Sequence, residues 1–485
     1  MNHTNASPTN TAAPDGDSYY APHQKVYPRE IHGRFSRLRI SAAWVLLGLF
    51  YGFPWITWND RQAILFDLPA RQFHLFGLTL WPQDFIFLAW LLVIAALGLF
   101  FFTAVGGRLW CGYACPQTVW TEVFLWMEKI TEGDRARRLK LDAAPWSKDK
   151  LLRKGTKQFL WILFALWTGF TFVGFFTPIQ DLAHKVITLS LGPWETFWTL
   201  FYGFATYGNA GFLREQVCKY MCPYARFQSA MFDRDTLIIT YDETRGEPRG
   251  SRQKGIDPRT KGLGDCVDCT LCVQVCPTGI DIRNGLQYEC IACAACIDAC
   301  DGVMDKLGYD RGLVRYDTQH ALEHKKTTIL RPRVIVYGTL LALLTAGLFM
   351  ALALRKPVAL DVIHDRNTLY RTLETGEIEN VYLLKIMNKD TNPKEFVVTV
   401  GALDPQRDPR EYRLDPSSPR FRVASGQVFN AAVRVRRDAW DDRVDPSGQP
   451  IRPSEPAAAL KFTIAHTDNP KLSASSEARF FAPMQ

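Results

Sequence analysis

Cys266-Val-Asp-Cys269-Thr-Leu-Cys272-Val-Gln-Val-Cys276-Pro277 and Cys290-Ile-Ala-Cys293-Ala-Ala-Cys296-Ile-Asp-Ala-Cys300-Asp301 stand thirteen residues apart, counted from Cys276 to Cys290. Each is a copy of C-x2-C-x2-C-x3-C. The spacing suits two cubane iron–sulfur clusters, because three thiolates from one tight loop grip a cluster and the fourth comes from the other copy. On that rule Cys266, Cys269, Cys272 and Cys300 hold one 4Fe-4S cluster, and Cys290, Cys293, Cys296 and Cys276 hold the second. Zinc is the rival reading, but structural zinc sites pair two C-x2-C units rather than three cysteines plus a lone fourth. Pro277 follows the first copy as expected; Asp301 stands in its place in the second.

Working outward, all twelve cysteines lie between Cys111 and Cys300. A disulfide framework would not leave the remainder of a 485-residue chain bare, so the distribution favours redox and metal chemistry. The mean hydropathy of −0.10 hides several apolar runs. Five stretches approach the roughly 20 apolar residues a membrane span needs: 40–58, 85–105, 159–177, 194–213 and 334–354. The fourth is the weakest, with Glu195, Tyr202, Tyr207 and Asn209 inside it. Residues 1–30 are Asn-, Thr-, Ser- and Pro-rich at their start and read as a disordered tail. They lack the charged start and apolar middle of a signal peptide, so the first apolar run reads as a retained anchor.

Charge sets the expected orientation. Arg29, Arg34, Arg37 and Arg39 precede the first span, whereas the loop at 59–84 has only Arg61 and Arg71. The loop after the second span carries nine Lys and Arg from Arg135 to Lys157; the loop after the third has only Lys185. This alternation predicts a cytoplasmic N-terminus and a cytoplasmic cluster segment, with the C-terminal region periplasmic. The net charge of +8 is spread over these loops, which reads as membrane topology and not as nucleic-acid binding. Past residue 357, alternating or β-branched runs at 381–387, 395–400, 421–423, 428–435 and 460–465, separated by Asp-Pro, Ser-Gly and Asn-Pro turns, predict a β-sandwich. The expected organisation is therefore a multidomain membrane protein. It has a tail (1–30), four transmembrane helices (31–230), a ferredoxin-like insertion (231–330), a fifth transmembrane helix (331–356) and a β-sandwich (357–485).

The other four cysteines form two copies of C-x3-C-P, Cys111 to Pro116 and Cys218 to Pro223, each just past an apolar run. The proline predicts a helix break at the preceding cysteine. Isolated cysteines pack as small apolar residues. Two matching copies after two spans instead suggest an internal repeat that offers four soft thiolates. Such ligands suit Cu(I), Zn(II) or iron–sulfur chemistry, or a dithiol–disulfide shuttle. Glu122 and Glu128 read as the polar face of an amphipathic helix at 119–130. His320 and His324, like His364 and His466, read as surface histidines.

Trp110-Cys-Gly-Tyr-Ala-Cys-Pro-Gln-Thr-Val-Trp-Thr-Glu122, Cys218-Lys-Tyr-Met-Cys-Pro-Tyr-Ala-Arg-Phe-Gln-Ser229 and Gly279-Ile-Asp-Ile-Arg283 resemble the FixG/RdxA/CcoG family. Membrane polyferredoxins of nitrate and nitrous-oxide respiration share the C-x3-C-P pairs. The resemblance implies a trailing immunoglobulin-like domain and a location in the bacterial inner membrane. It also implies a role in assembling cbb-type cytochrome c oxidase by reducing Cu(II) to Cu(I). Its expected partners are copper-handling and oxidase assembly proteins and a cytoplasmic electron donor. Cys111, Cys115, Cys218 and Cys222 match the family's second cysteine set and become the candidate catalytic, copper-binding residues. Ala292, Ala294 and Ala295 stand where glycine or another small residue is usual. Two rival readings are a quinol-linked electron carrier and a redox-sensing assembly scaffold without turnover.

Overall fold

The computed structural model describes residues 25–59, 61–251, 262–390, 392–403, 411–438 and 457–483. The chain forms two units, Met1–Trp55 with Ala95–Leu341 and Ile56–Ile94 with Ala342–Gln485. Most of the expected disordered tail, 1–24, lies outside the described residues. Its last six residues are ordered: Tyr27 donates to Asp142 at 2.5 Å, and the Arg29 amide donates to the Gln274 carbonyl at 2.8 Å.

Three helices are long and apolar enough to cross a membrane: Arg34–Trp55, Phe85–Gly106 and Pro332–Ala353. Of the five expected spans, the first, second and fifth meet that measure; the third and fourth stretches do not. The third lies in a 26-residue helix, Lys148–Val173, whose opening turns carry Lys148, Asp149, Lys150, Arg153, Lys154 and Lys157. Its uncharged part is shorter than a bilayer core requires. The fourth is a 14-residue α-helix, Pro193–Thr206, that widens into a π-helix at Tyr207–Leu213. These two helices pack tightly on small residues. A Cβ on Gly169 would lie 2.2 Å from the Thr199 carbonyl oxygen, so only glycine allows the approach. Beside them Phe124, Trp161, Ala165 and Ala210 form a buried core, and Trp161 Nε1 donates to the Phe124 carbonyl at 3.2 Å.

In the same unit the ferredoxin-like insertion is closed by two antiparallel strands, Ile238–Tyr241 and Val314–Asp317, paired from Ile238↔Asp317 to Tyr241↔Val314. Its entry and exit therefore lie side by side. Ile239, Tyr241, Ile282, Ile297, Met304, Leu313 and Val314 form its core together with Cys266 and Cys272.

In the second unit, residues expected to be a plain loop fold into small sheets. Ile64–Asp67, Gln72–Leu75 and Leu78–Leu80 form a three-stranded meander. Asp84, 8% exposed, pairs with Arg355 and, at 3.0 Å, with Lys389. The β-sandwich appears where alternation predicted it. One sheet runs Arg413–Asp415, Val428–Arg437, Ile378–Asn388, Val358–His364. The other runs Arg420–Val423, Lys394–Ala402, Ala457–His466, Ser473–Phe481. Tyr382, Leu384 and Ile386 alternate into the core with Phe396, Val398, Val433, Val435, Leu460, Phe462 and Ile464, as a period of two requires. His364 bonds Asn380 at 3.0 Å inside this domain.

Candidate metal centre

The two ferredoxin loops repeat each other in backbone as well as in sequence. Asp268 and Thr270 in the first, and Ala292 and Ala294 in the second, have φ of 53°, 56°, 54° and 60°. These are the third and fifth positions of each copy. Left-handed residues alternating with right-handed ones turn successive N–H groups inward, forming the anion-binding nest common at iron–sulfur sites. A short helix follows each loop. Leu271–Gln274 stops ahead of Cys276-Pro277. Ala295–Leu307 continues past Cys300, because Asp301 allows what proline would break. Asp301 instead accepts from the Gly312 amide at 3.0 Å.

Two cavities result. The first, with about 380 Å³ of empty space, is lined by Cys266, Cys269, Cys272 and Cys300. The second, about 330 Å³, is lined by Cys276, Cys290, Cys293 and Cys296, and shares Cys272 with the first. The four cysteines expected to share a cluster thus line one cavity in each case. Cys296 and Cys300, one turn apart on one helix, face different cavities. Burial pushes the Cys272 thiol up to about 11 and the Cys290 and Cys300 thiols up to about 12. Neighbouring thiolates add to this effect. Such a crowd of buried sulfurs stays ionised only if a metal core supplies the opposing charge. The four-cysteine donor set and the repeated left-handed loop positions both fit a cubane cluster in each site. Arg283 clamps the first loop, donating to Asp281 at 2.7 Å and 2.8 Å and to Asp268 at 2.5 Å. Cys269 is exposed, whereas Cys293 is buried, so the first site is the more open.

The C-x3-C-P copies are also a structural repeat. The Cys115 amide donates to the Trp110 carbonyl at 2.9 Å, and the Cys222 amide to the Val217 carbonyl at 2.8 Å. Both are wide i to i−5 closures, and the second lies in a π-helix, Val217–Met221. Cys115 and Cys222 then take extended backbone, and Pro116 and Pro223 open the next helices, as the prolines predicted. The fold brings all four sulfurs together. The Cys111 thiol feels Cys115 and Cys222, and the Cys218 thiol feels Cys115, Cys111 and Cys222. Burial is the larger cause in both cases and pushes Cys218 up to about 12. Cys111 Sγ donates to Gln228 Oε1 at 3.2 Å. The site touches the second ferredoxin loop: a Cβ on Gly112 would lie 2.8 Å from the Ile291 carbonyl oxygen and 2.9 Å from Cys293 Cα. Among the described residues, no three His, Cys, Asp or Glu side chains are placed to hold a single metal ion.

Several residues that shape this site were missed in the sequence. Arg108, 3% exposed, donates to the Tyr288 carbonyl and acts electrostatically on Cys111, Cys218 and Cys290. Its signal was a lone arginine between an apolar run and a cysteine motif. Glu128, expected on a polar helix face, is instead fully buried. It accepts from Arg138 at 3.0 Å and from Arg214 at 3.1 Å, with Lys157 3.8 Å away. Burial alone would raise its carboxyl, but Arg214, Arg138 and Lys157 outweigh that and hold it below the usual range. Arg214 has a strained backbone, φ 40° and ψ −111°, between the two π-helices. Its guanidinium lies over Trp161, 5.4 Å from the ring centre. Gln117 ties this segment to the Pro116–Glu132 helix by donating to the Asn209 carbonyl at 2.9 Å and the Arg214 carbonyl at 3.2 Å. His320 pairs with Asp235 at 2.8 Å, and no long helix forms around His320 and His324.

Known proteins match this arrangement. A 4Fe-4S dicluster family model matches residues 213–319, and a 4Fe-4S binding domain matches 88–133. The immunoglobulin-like fold at the C-terminus of FixG matches 348–483. The nitrogen fixation protein FixG of Rhizobium meliloti is 40% identical over 421 residues, covering 79% of this chain and 80% of its own. Protein RdxB of Cereibacter sphaeroides is 42% identical over 397 residues, covering 79% of this chain and 83% of its own. A solved FixG-related protein from Vibrio parahaemolyticus is 23% identical, covers 27% of this chain and 100% of its own, and superposes with a TM-score of 0.20. With 40–42% identity over about four fifths of FixG and RdxB, two iron–sulfur matches, apolar helices and a FixG-type terminal domain, the chain belongs to the FixG/RdxA family of membrane iron–sulfur proteins.

Proposed function

We propose that this protein carries electrons from a cytoplasmic donor, through two ferredoxin clusters, to the four-thiol site, and delivers them there to Cu(II). The Cu(I) formed feeds the assembly of a cbb-type cytochrome c oxidase. The observation that carries this reading is contiguity. The two cavities share Cys272, and the Cys111 turn lies against the loop of the second. When bound, the clusters supply one-electron transfer at potentials tuned by charge and exposure. The protein's part is to hold them in line. Exposed Cys269 marks the entry, and buried Arg108 acts on Cys290 and on Cys111 and Cys218 alike. Soft sulfur favours Cu(I) over Cu(II), which draws the electron toward the metal. Each Cu(II) takes one electron, leaves as Cu(I), and exchanges no proton.

The orientation follows the flanking charge, with Arg34, Arg37 and Arg39 on the cytoplasmic side of the first span. The number of spans is odd whether the three long apolar helices or all five expected stretches cross the membrane. The cluster insertion then remains cytoplasmic and the sandwich periplasmic, in a bacterial inner membrane. Copper-handling and oxidase assembly proteins are the partners this reading implies.

The test uses full-length protein purified without oxygen, reduced and mixed with Cu(II), with a Cu(I) chelator as readout. Wild type forms Cu(I), and Cys111→Ala/Cys218→Ala loses most of it. Equal reduction by both proteins removes the thiol pairs from the reading.

A further inference from the structure

We propose that Cys111, Cys115, Cys218 and Cys222 hold a third cubane iron–sulfur cluster. The inference rests on the reading that this site ends the electron path, and it names what occupies the end. Copper then meets the sulfur-rich edge of that cluster, whose soft donors keep the preference for Cu(I), instead of being wrapped by four thiolates.

Ligand arithmetic is the first ground. The 4Fe-4S binding match over 88–133 contains only two cysteines, Cys111 and Cys115. A cubane cluster takes four thiolates, so two must come from elsewhere, and the fold brings Cys218 and Cys222 to that place. The twelve cysteines then divide into three sets of four with none left over. The second ground is spacing. None of the three sets is arranged around a single ion, and the other two are cluster sets by cavity and loop geometry. The third is charge. Arg108 is buried beside Cys111 and Cys218, and its Nε has no hydrogen-bond partner. Cys115 and Cys222 sit at helix starts, whose positive ends favour an anion. A multi-iron core also neutralises more of four thiolate charges than one cuprous ion does. An electron passed here oxidises the second cluster by one and reduces the third by one, with no atom transferred.

The experiment measures iron and acid-labile sulfide in the full-length protein prepared without oxygen, with Mössbauer spectra of iron-57 samples. Three clusters give about twelve iron atoms per chain and two give about eight. The expected result is about twelve in wild type, and about eight in Cys115→Ser/Cys222→Ser with the two ferredoxin EPR signals kept. About eight in wild type overturns the inference, whatever the variant does. The copper assay separates this from the function itself. Copper reduction by a protein with about eight irons sinks the third cluster and leaves electron delivery to copper standing. About twelve irons without copper reduction keeps the cluster and sinks that function.

Discussion

The two kinds of cysteine site are built on opposite plans. Each ferredoxin site takes three of its four cysteines from seven consecutive residues, and the backbone of those residues shapes the pocket. The four-thiol site takes two cysteines from each of two segments 107 positions apart, Cys111 to Cys218, and neither segment can form it alone. It is held by tertiary contacts: the Glu128–Arg214 pair, the Gln117 bonds and the packing of Gly112 on the second loop. A locally encoded site resists distant changes and fails only when a ligand is lost. An assembled site fails when its supports are removed, with every ligand still present.

The largest effect should come from the locally encoded ligands. Cys296→Ala and Cys300→Ala change neighbouring turns of one helix, yet each should abolish a different cluster. Each should lower iron content by about four atoms per chain, with EPR of the reduced protein showing which signal is gone. Loss of the same signal from both variants would refute the interleaved ligand assignment.

Next is the support of the assembled site. Glu128→Gln leaves Arg138 and Arg214 buried without their carboxylate and Lys157 with Glu132 alone, at 2.8 Å. Removing one partner of a buried ion pair costs about 3–5 kcal/mol. The expected outcome is a large fall in thermal midpoint in detergent, with faster thiol labelling at Cys218 and unchanged ferredoxin EPR. Wild type should show the matching pH dependence. The Glu128 pKa is lowered on folding, so its contribution is complete above the ordinary glutamate value of about 4.3 and fades as pH falls below it, through the lowered value. Equal loss of the ferredoxin signals in Glu128→Gln would show that the two plans are not separate.

The same contrast governs what could be read from the sequence. The gathering of the ferredoxin cysteines into two groups of four was legible, since a cysteine run within one loop needs no knowledge of the fold. The inner strands of the sandwich were legible because Tyr382, Leu384 and Ile386 alternate. Ser473–Phe481, rich in Ser and Ala at a sheet edge, gave no such pattern, nor did the short strands at 61–80. Three of the five expected spans were legible as long apolar helices; at the other two the sequence did not show that one helix opens with charged turns up to Lys157 or that the other widens at Tyr207. Glu128 looked solvated on an amphipathic helix because Arg138 and Arg214 lie 10 and 86 positions away.

A smaller effect is expected where the two plans meet. Gly112→Ala puts a methyl group within 3 Å of three backbone atoms at Ile291, Ala292 and Cys293. Overpacking of this kind costs about 1–3 kcal/mol. Both cysteine sets should persist while the gap between them opens. Iron content should therefore hold, and stopped-flow reduction of Cu(II) should slow. Unchanged rates would show that the Cys111 turn is not the path from the second cluster.

The smallest effect separates backbone strain from side-chain need within the local plan. Ala292 and Ala294 adopt the left-handed conformation, at about 1–2 kcal/mol each for a residue with a Cβ. Ala292→Gly removes that strain but adds freedom to the unfolded chain, an offset of about 0.4–1 kcal/mol. The net change should be stabilising by no more than about 1 kcal/mol, with the second cluster's EPR signal intact and the Tyr316 hydroxyl still donating to the residue 292 carbonyl, as it does at 2.6 Å now. Ala292→Val tests the other side, because a β-branched residue is a true outlier at positive φ. It should loosen the loop and lower occupancy of the second cluster while the first stays full. If valine were tolerated as well as glycine, the left-handed turn would not be what shapes this loop, and its likeness to the first would be one of sequence only.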